Sequence, residues 1–417
     1  MDNPRRAAHI KQMADTTDIL IVGGGLNGSI LALALAQSGL KSKVVDALPE
    51  PTRLQPDFDG RSYAMALTSC RLLQNLSLWE ALAPHAQPIL DIKVSDGRAG
   101  EGPSPFFMHF NHAEIEEGPM GHMIEDRHLR SALQQAMADR PEITQISQTE
   151  VSAQSLAPGG INATLSDGTD LRAKLLVGAD GRQSPTAQRA GIKRTGWGYD
   201  QTALVCAVEH DQPHNGIAHQ FFMPAGPLAI LPLTGNRSSI VWSETPENAV
   251  AFAALPADDF LTMLRPRFGD FLGQIALAGQ RYCYPLNLSL ANNMVAARVA
   301  LVGDAAHGVH PIAGQGLNAG LRDIAALAEV LGSAKSRGED IGSTGVLSRY
   351  ESWRRFDNTA LGLATDAFNR LFSTDNAIVR LGRDLGMGVI SQMPGLRRSF
   401  IREAAGLTGE LPALMQP

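Results

Sequence analysis

The first apolar segments of the chain alternate between short buried runs and one longer helical run. The run DILIVGGG, which contains Ile19–Val22, ends in glycines, and this is typical of a buried strand that enters a tight turn. Residues LNGSILALALAQSGL then predict a helix that stops at Gly39, and KSKVVDA predicts a second short strand. Together these segments predict a strand–helix–strand unit of about 30 residues.

Hydrophobic spacing divides the remainder of the chain into helical and strand-rich regions. Residues 57–85 look helical around SCRLLQNLSLWEAL, and Glu125–Asp139 repeats its apolar positions with the helical period. Strands separated by turns are predicted at Ile92–Ser95, from Thr149 to Val177 and over most of Thr202–Tyr284, with one helical insert at Asp258–Phe268. Further helices are predicted at Asp323–Leu331, Leu347–Phe372 and Asp375–Val389.

This order of elements predicts an α/β fold, in which a Rossmann-type nucleotide-binding domain carries an inserted antiparallel sheet and a helical C-terminal region. We expect the nucleotide-binding domain at residues 17–90, 124–195 and 287–345, and the inserted substrate domain at 91–123 and 196–286. A flexible lead-in at residues 1–16 and a helical region at 346–417 complete the chain.

Composition excludes several classes of protein. The chain has 417 residues, 44% hydrophobic and 19% charged, with a net charge of −6, as expected of a globular protein that does not bind nucleic acid. Cys70, Cys206 and Cys283 are far apart, which argues against a disulfide framework. The polar N-terminus and the lack of a run of 18 apolar residues predict neither a signal peptide nor a spanning helix, so we expect a cytoplasmic protein.

Gly23, Gly25 and Gly28 form a GxGxxG motif directly after the first predicted strand. In such motifs the first two glycines let the backbone turn towards a pyrophosphate, and the third lets the helix pack closely on the strand. Asp46 ends the second predicted strand, where a carboxylate accepts hydrogen bonds from a ribose and favours FAD or NAD over NADP. The motif in this context predicts a dinucleotide site.

A second motif, GDAAHGVHPIAGQGLN, follows the apolar run VALVG late in the chain. Asp304 ends that strand, and its carboxylate is suited to a polyol such as the ribityl chain of a flavin. The turn Ala313–Gly316 precedes a predicted helix from Leu317, so backbone N–H groups and the helix dipole would stabilise negative charge on a flavin ring.

GxGxxG at Gly23, GADG at Gly178–Gly181 and the Gly303–Asn318 motif occur in the order found in a known family. The chain resembles the FAD-dependent aromatic hydroxylases, which are group A flavoprotein monooxygenases with the para-hydroxybenzoate hydroxylase fold. The runs DGRSYAMALTSCRLL, EDRHLRSAL and HPIAGQGLNAGLRD are similar to those of the ubiquinone-biosynthesis hydroxylases. The resemblance implies that FAD is bound by Gly23, Gly25, Gly28, Asp46, Arg61, Arg127, Asp180, Gly181, Asp304, Gly314, Gln315, Gly316, Leu317 and Asn318.

The resemblance also implies the reaction. Transient NAD(P)H reduces the FAD, O2 forms a flavin C4a-hydroperoxide, and this attacks the ring of a polyprenyl phenol in ubiquinone biosynthesis, without a catalytic side chain. Pocket candidates are Pro232, Pro311, Gly314 and Gln315, with Phe221, Phe222 and Leu231 as further walls. The family pattern DGxxSxxR has Ala187 in place of its arginine, and Arg182 and Arg189 are candidate substitutes.

Other features leave alternatives open. His307 and His310 lie in a loop where no neighbouring carboxylate or cysteine completes a set of metal ligands, so no metal site is expected. His210, His214 and His219 suggest a solvated turn. The C-terminal apolar residues fit core packing, which we favour, or a peripheral contact with the inner membrane; they are Phe356, Leu361, Leu363, Phe368, Leu371 and Phe372.

Other functions and assemblies also stay open. The first functional alternative is a hydroxylase of a soluble aromatic substrate, and the second is a non-catalytic flavin-bearing subunit of a biosynthetic complex. The absence of a WxWxIP segment argues against a flavin halogenase. A homo-oligomer or a ubiquinone-biosynthesis complex remains open as the assembly.

Overall fold

The computed structural model describes residues 16–49, 57–100, 102–308, 315–357 and 393–417, and at residues 102–106 it describes the backbone alone. Strands and helices follow each other along the chain. The strands are β1 (Thr16–Val22), β2 (Ser42–Asp46), β3 (Ser62–Ala66), β4 (Gln87–Ile89), β5 (Asp91–Arg98), β6 (Gly102–Asn111), β7 (Gly121–Glu125), β8 (Ile143–Ser147), β9 (Val151–Ala157), β10 (Gly160–Leu165), β11 (Asp170–Gly178), β12 (Arg194–His210), β13 (Ile217–Met223), β14 (Gly226–Leu233), β15 (Arg237–Glu244), β16 (Ile275–Leu277), β17 (Tyr282–Ala291), β18 (Val295–Ala296), β19 (Val299–Leu301) and β20 (His307–Gly308). The α-helices are α1 (Leu26–Gln37), α2 (Leu67–Asn75), α3 (Trp79–Leu82), α4 (Asp126–Ala138), α5 (Pro185–Arg189), α6 (Pro246–Ala254), α7 (Ala257–Phe268), α8 (Gln315–Ser336), α9 (344–357, where the described range ends) and α10 (Pro394–Ala404). Short 3₁₀ turns lie at Ala83–His85, His112–Glu114, Gly303–Ala305 and Ala413–Met415.

The nucleotide-binding sheet has the parallel order β19–β11–β1–β2–β8, with β18 at one edge and the β9–β10 hairpin paired to β11. Its central strands carry apolar residues on both faces because helices cover both faces. Ile19 and Ile21 on β1 and Leu31 and Leu35 on α1 are fully buried in one core with α8. The predicted strand–helix–strand unit and the α/β class are therefore confirmed.

The inserted sheet has nine strands in the order β20–β17–β12–β15–β14–β13–β5–β6, with β16 paired to β12. All its described pairs are antiparallel except β13 with β5. On one face, Phe221, Ile230 and Trp242 pack with Phe260 and Leu264 of α7. The other face turns towards the nucleotide-binding domain. The domain boundaries predicted from the sequence stay a prediction.

A third, small sheet joins the two domains and corrects one prediction. It has the order β3–β7–β4. Ser62–Ala66 lies within the segment predicted to be helical, but pairs with Gly121–Glu125 as an antiparallel strand. Partners distant in the sequence decided this conformation, which residue propensity cannot reveal.

Three helices, α5, α6 and α10, were missed by the hydrophobic pattern, whereas α4 and α7 are close to their predicted bounds. The predicted helix Leu347–Phe372 is described only up to residue 357, and Asp375–Val389 lies outside the described residues. The favoured core packing is wrong for Phe356, which is 79% exposed. The other members of its predicted stripe, Leu361, Leu363, Phe368, Leu371 and Phe372, lie outside the described residues. Of the helices in the described ranges, none has both the length and the apolar content of a transmembrane helix.

Candidate functional site

The three motif glycines between β1 and α1 have three different surroundings. A Cβ on Gly23, whose φ is +104°, would lie 2.4 Å from the Ala179 carbonyl oxygen, and a Cβ on Gly28 would lie 1.8 Å from the Gly23 carbonyl oxygen. A Cβ on Gly25 would meet no atom within 4 Å. Gly23 and Gly28 are therefore required by packing, while Gly25 keeps the backbone open to a ligand at the start of α1.

Asp46 stands at the end of β2, beside the same turn. Its Oδ2 accepts a hydrogen bond of 2.5 Å from Gly24 N–H, and its Oδ1 accepts one of 2.8 Å from Leu48 N–H. These bonds hold the carboxylate next to the glycine turn, where it can accept further hydrogen bonds from a ribose.

Asp304 occupies a 3₁₀ turn, Gly303–Ala305, that follows β19. Its carboxylate is 42% exposed and lies 3.2 Å from Arg182 Nε. From the other side, Arg194 on β12 donates to the main-chain carbonyls of Asp304 and Ala305. Burial lowers the pKa of Arg194, while the charge of Asp304 opposes that shift. The carboxylate is thus presented to open space while its backbone is fixed.

His307 has a structural role beneath this turn. Its Nε2 lies 2.5 Å from Asp323 Oδ2, and the same oxygen accepts a 3.1 Å hydrogen bond from Gly303 N–H. Arg354 Nε donates to Asp323 Oδ1 at 2.9 Å, and all three side chains are at most 2% exposed. Within the described ranges no group of three or more His, Cys, Asp or Glu side chains is arranged for a metal. His310 lies outside the described residues.

Helix α8 brings the second glycine motif to the same place. The described range resumes at Gln315, and Gln315 and Gly316, which precede the predicted start at Leu317, are already helical. Asn318 ties this turn to the small sheet, since its Oδ1 accepts from Ala66 N–H at 2.9 Å and its Nδ2 donates to the Ala64 carbonyl at 2.8 Å. The helix dipole favours negative charge at this end of α8. Gly314 and Pro311 lie outside the described residues.

An arginine that the sequence analysis missed, Arg130 on α4, borders the glycine turn. Its Nε donates to Asp126 at 2.6 Å, and this bond raises the pKa of Arg130 against the opposing effect of burial. Of the predicted arginines, Arg61 pairs with Asp59 at 2.6 Å and Arg127 donates to Glu125 at 2.7 Å. Neither Arg61 nor Arg127 lines the cavity described below.

The spacing of four residues from Asp126 could have revealed Arg130 in the sequence. It lies four residues after Asp126 on the helix that starts at the edge of the small sheet, and residues at that spacing share one helix face. Arg127, which donates to Glu125, does not line the cavity.

The GADG segment holds the loop after β11. Asp180 accepts hydrogen bonds from Ser184 Oγ at 2.6 Å and from Thr186 N–H at 2.9 Å, so its carboxylate fixes the start of α5. Gly181, with φ of +80°, has open space around it and lines the cavity. Ala187 is fully buried, which leaves no room for the arginine of the family pattern.

The two candidate substitutes for that arginine lie in different places. Arg182 lines the cavity beside Asp304, whereas Arg189 donates to Gln154 Oε1 at 3.2 Å. Of the two, only Arg182 is placed to meet a ligand.

One cavity of about 620 Å³ unites these elements. Its polar end is lined by Gly25, Asn27, Arg130, Gly181, Arg182, Asp304 and Gln315–Asn318. Asn27 Oδ1 and Ser62 Oγ, whose residues also line the cavity, are buried and have no hydrogen-bond partner among the described residues. An open glycine turn, the half-exposed carboxylate of Asp304 and unsatisfied buried oxygens fit an extended ligand with phosphate, polyol and ring hydrogen-bonding groups, as FAD has.

The inserted sheet supplies the opposite wall of the cavity. Phe222 and Leu231 line it, as the sequence suggested. Side chains alternate along a strand, so Phe221 instead packs with Leu264 on the far face, and Pro232 follows Ile230 onto that face. The structure therefore separates these four predicted wall residues into two pairs.

The other histidines and the cysteines have structural surroundings. His210 is buried and not solvated, since its Nε2 lies 3.0 Å from Ser238 Oγ and its Nδ1 2.7 Å from the Gln212 carbonyl. His214 Nε2 lies 2.7 Å from the Leu233 carbonyl. Burial, aided by the Lys93 charge, lowers the pKa of His219 to about 4. The cysteines Cys70, Cys206 and Cys283 are all free thiols.

Comparison with known proteins agrees with this geometry. The FAD binding domain family model matches residues 16–360. The chain is 46% identical to a ubiquinone hydroxylase, UbiL, of Rhodospirillum rubrum, over all of this chain and 96% of that protein. It is 34% identical to the 3-demethoxyubiquinol 3-hydroxylase of Escherichia coli, over 94% of this chain and 99% of that protein.

A solved structure is similar in fold. It is that of p-nitrophenol 4-monooxygenase PnpA from Pseudomonas putida, which matches with a TM-score of 0.78 and 20% identity over 95% of this chain and 99% of that one. At this identity the likeness concerns the fold alone.

Proposed function

The chain belongs to the family of FAD-dependent aromatic-ring monooxygenases that includes the ubiquinone-biosynthesis hydroxylases, and on that premise we propose which ring it hydroxylates. The substrate is a polyprenyl phenol, an intermediate of ubiquinone biosynthesis. NAD(P)H is the transient reductant, O2 supplies the oxygen atom, and FAD is the bound cofactor. The observation that carries the proposal is the single cavity, which joins the dinucleotide elements to an apolar wall of the inserted sheet.

The residues of the chain hold and orient the cofactor. Gly25 and the start of α1 receive the pyrophosphate, Asp46 the adenosine ribose and Asp304 the ribityl hydroxyls. Residues 315–318 of α8 line the cavity, and the dipole of this helix would stabilise negative charge on a flavin ring held there. When bound, FAD supplies the oxidation–reduction chemistry.

The chain also shapes the substrate side. Phe222 and Leu231 exclude water from the space beside the ring. Arg182, next to Asp304 at the cavity wall, is the cation placed to meet the transient reductant, in the role of the arginine that Ala187 replaces.

The test uses the purified, FAD-loaded protein with NADH or NADPH, ¹⁸O2 and two substrates, a short-chain prenyl phenol and a soluble aromatic acid. We expect the prenyl phenol to stimulate NAD(P)H oxidation and to gain one ¹⁸O atom by mass spectrometry. Oxygenation of the soluble acid alone would favour the alternative substrate class. NAD(P)H oxidation that neither compound stimulates would favour a non-catalytic flavin-bearing subunit.

Complementation places the reaction in the cell. Strains that each lack one ring hydroxylase of ubiquinone biosynthesis receive this chain, and their quinones are identified by mass spectrometry. Rescue of one strain identifies the ring position, and rescue of none would contradict the proposal. For a peripheral contact with the inner membrane, flotation with liposomes is the measurement, and absence from every lipid fraction would contradict it.

A further inference from the structure

The cavity has two chemically different ends. Away from the polar end lies what we call the apolar lobe, where the inserted sheet, the small sheet and α10 meet in one hydrophobic cluster. Its lining side chains are Ile89, Ile92, Val94, Met108, Phe110, Met120, Ala218, Phe222, Leu231 and Phe400. None of these side chains is charged or forms conventional hydrogen bonds, and two of them are methionines, which adapt their shape to a flexible apolar ligand.

Resting on the proposed function, we propose that the apolar lobe holds the first isoprene units of the substrate chain, and that the rest of the chain leaves the protein along α10. A polyprenyl chain has no hydrogen-bonding group, so these apolar side chains leave no atom of their own unsatisfied when the chain displaces water. The polar side chains of His219 and Gln220 on β13 also line the cavity and stand beside this set. The cavity of about 620 Å³ also receives the flavin ring and the phenol, so a long chain must continue outside.

Helix α10 provides a continuous apolar path to the outside. Ala404 and Phe400 line the cavity, and Leu396 and Met393 continue the same face of the helix at spacings of three and four residues. Leu396 is 39% exposed and Met393 is 49% exposed. At 1.5 Å per residue, this stripe runs about 10 Å from Phe400 at the cavity to Met393 at the surface. We call it the α10 stripe.

The α10 stripe is fixed in place. Ile401, on an adjacent face of α10, is fully buried, and the Phe400 and Phe110 rings have centroids 6.1 Å apart. Arg397 Nε donates to both carboxylate oxygens of Glu114, at 2.8 and 2.9 Å. The helix therefore forms a rigid wall, and Leu396 and Met393 at its outer end can be replaced without disturbing the buried contacts.

The number of isoprene units in the substrate is the variable that tests the path along α10. Three phenols with the same ring and one, three or eight isoprene units are compared in the double variant Met393→Gln/Leu396→Gln. Arg398→Gln is the matched control, because Arg398 is also exposed but lies on a different face of α10. Loss of two apolar contacts is expected to lower kcat/KM for the eight-unit phenol about tenfold relative to the one-unit phenol. We expect the control to keep the wild-type ratio of kcat/KM values.

A second measurement does not depend on turnover. A ring-free polyprenyl alcohol of eight units is titrated into the FAD-loaded protein, and binding is followed by flavin fluorescence. The double variant should bind it more weakly than the wild type and the control. Ala218→Leu, which narrows the lobe, should weaken binding of the three-unit alcohol as well, with unchanged FAD content.

The outcomes separate the two proposals. If the wild type hydroxylates all three phenols and the double variant keeps the wild-type ratio, the path along α10 is overturned and the proposed function stands. If the wild type hydroxylates none of them, the proposed function is overturned. The alcohol titration then decides the path by itself, because equal affinity in the wild type and the double variant would overturn it.

Discussion

Asp323 on α8 offers the sharpest test of how the Asp304 turn is held. In Asp323→Ala, Arg354 loses the acceptor of its Nε, His307 Nε2 loses its partner at 2.5 Å, and Gly303 N–H loses its 3.1 Å hydrogen bond. Arg354 keeps its 2.6 Å bond to Asp357. These groups are at most 2% exposed at their side chains, so water cannot replace the lost carboxylate.

Breaking a buried ion pair from one side costs about 3–5 kcal/mol, because a charge stays buried without compensation. We therefore expect Asp323→Ala to lower the free energy of unfolding by about that amount. Asp323→Asn should lose less, since the amide still accepts a hydrogen bond from Gly303 N–H. Because the turn carries Asp304, the affinity for FAD should fall in both variants.

Asp340 provides the matched control. It pairs with Arg298 at 2.5 Å, but its side chain is 45% exposed, so Asp340→Ala should cost about 0–1 kcal/mol. Stability is measured by urea unfolding at two fixed FAD concentrations, because bound ligand adds to the apparent stability. Hydrogen exchange of residues 299–308 reports the local effect on the turn. A loss below about 1 kcal/mol in Asp323→Ala, or one no larger than in the control, would refute the reasoning.

Three further predictions concern the cofactor site and pH. Gly28→Ala should prevent folding, because its Cβ would lie 1.8 Å from a carbonyl oxygen, whereas Gly25→Ala should fold but bind FAD weakly. Circular dichroism measures folding and flavin absorbance measures bound FAD. Full flavin content in both variants would contradict this prediction. Asp304→Ala should stay soluble and weaken FAD binding by about 10- to 150-fold, because a hydrogen bond to a charged group contributes about 1.5–3 kcal/mol. An unchanged Kd for FAD would overturn the role of Asp304. Burial lowers the pKa of His122 to about 4, and that of His219 falls to about 4, so the folded state takes up fewer protons than the unfolded state. The stability that these two residues contribute is complete above about pH 6.5 and is lost as the pH falls towards 4. In urea unfolding, the free energy of unfolding of His122→Gln/His219→Gln should therefore decline less steeply than that of the wild type over this pH range. An equal decline in both proteins would contradict the prediction.

Local sequence determined the elements whose cause is local. The apolar runs of β1 and β2 predicted buried parallel strands. The sequence also predicted that α1 stops at Gly39, and in the structure the helix ends at Gln37 and Gly39 has a φ of +65°. The glycine turn was predicted from Gly23, Gly25 and Gly28. Its cause is local, because Gly23 and Gly28 lie against neighbouring backbone atoms and Gly25 leaves the backbone open to a ligand. The hairpin turn at Asp167–Gly168 is likewise a local signal, with Gly168 at a φ of +86°.

Only the tertiary structure decided which side chains meet. Ser62–Ala66 is a strand because β7, far along the chain, pairs with it. Arg130 lines the cavity while Arg127 does not, and the two differ in their tertiary partners, since Arg127 donates to Glu125 and Arg130 to Asp126. The sequence left His307 without an assigned role, because its partner Asp323 lies on another element. Side-chain partners depend on distances between elements, and a sequence pattern encodes the spacing only within an element.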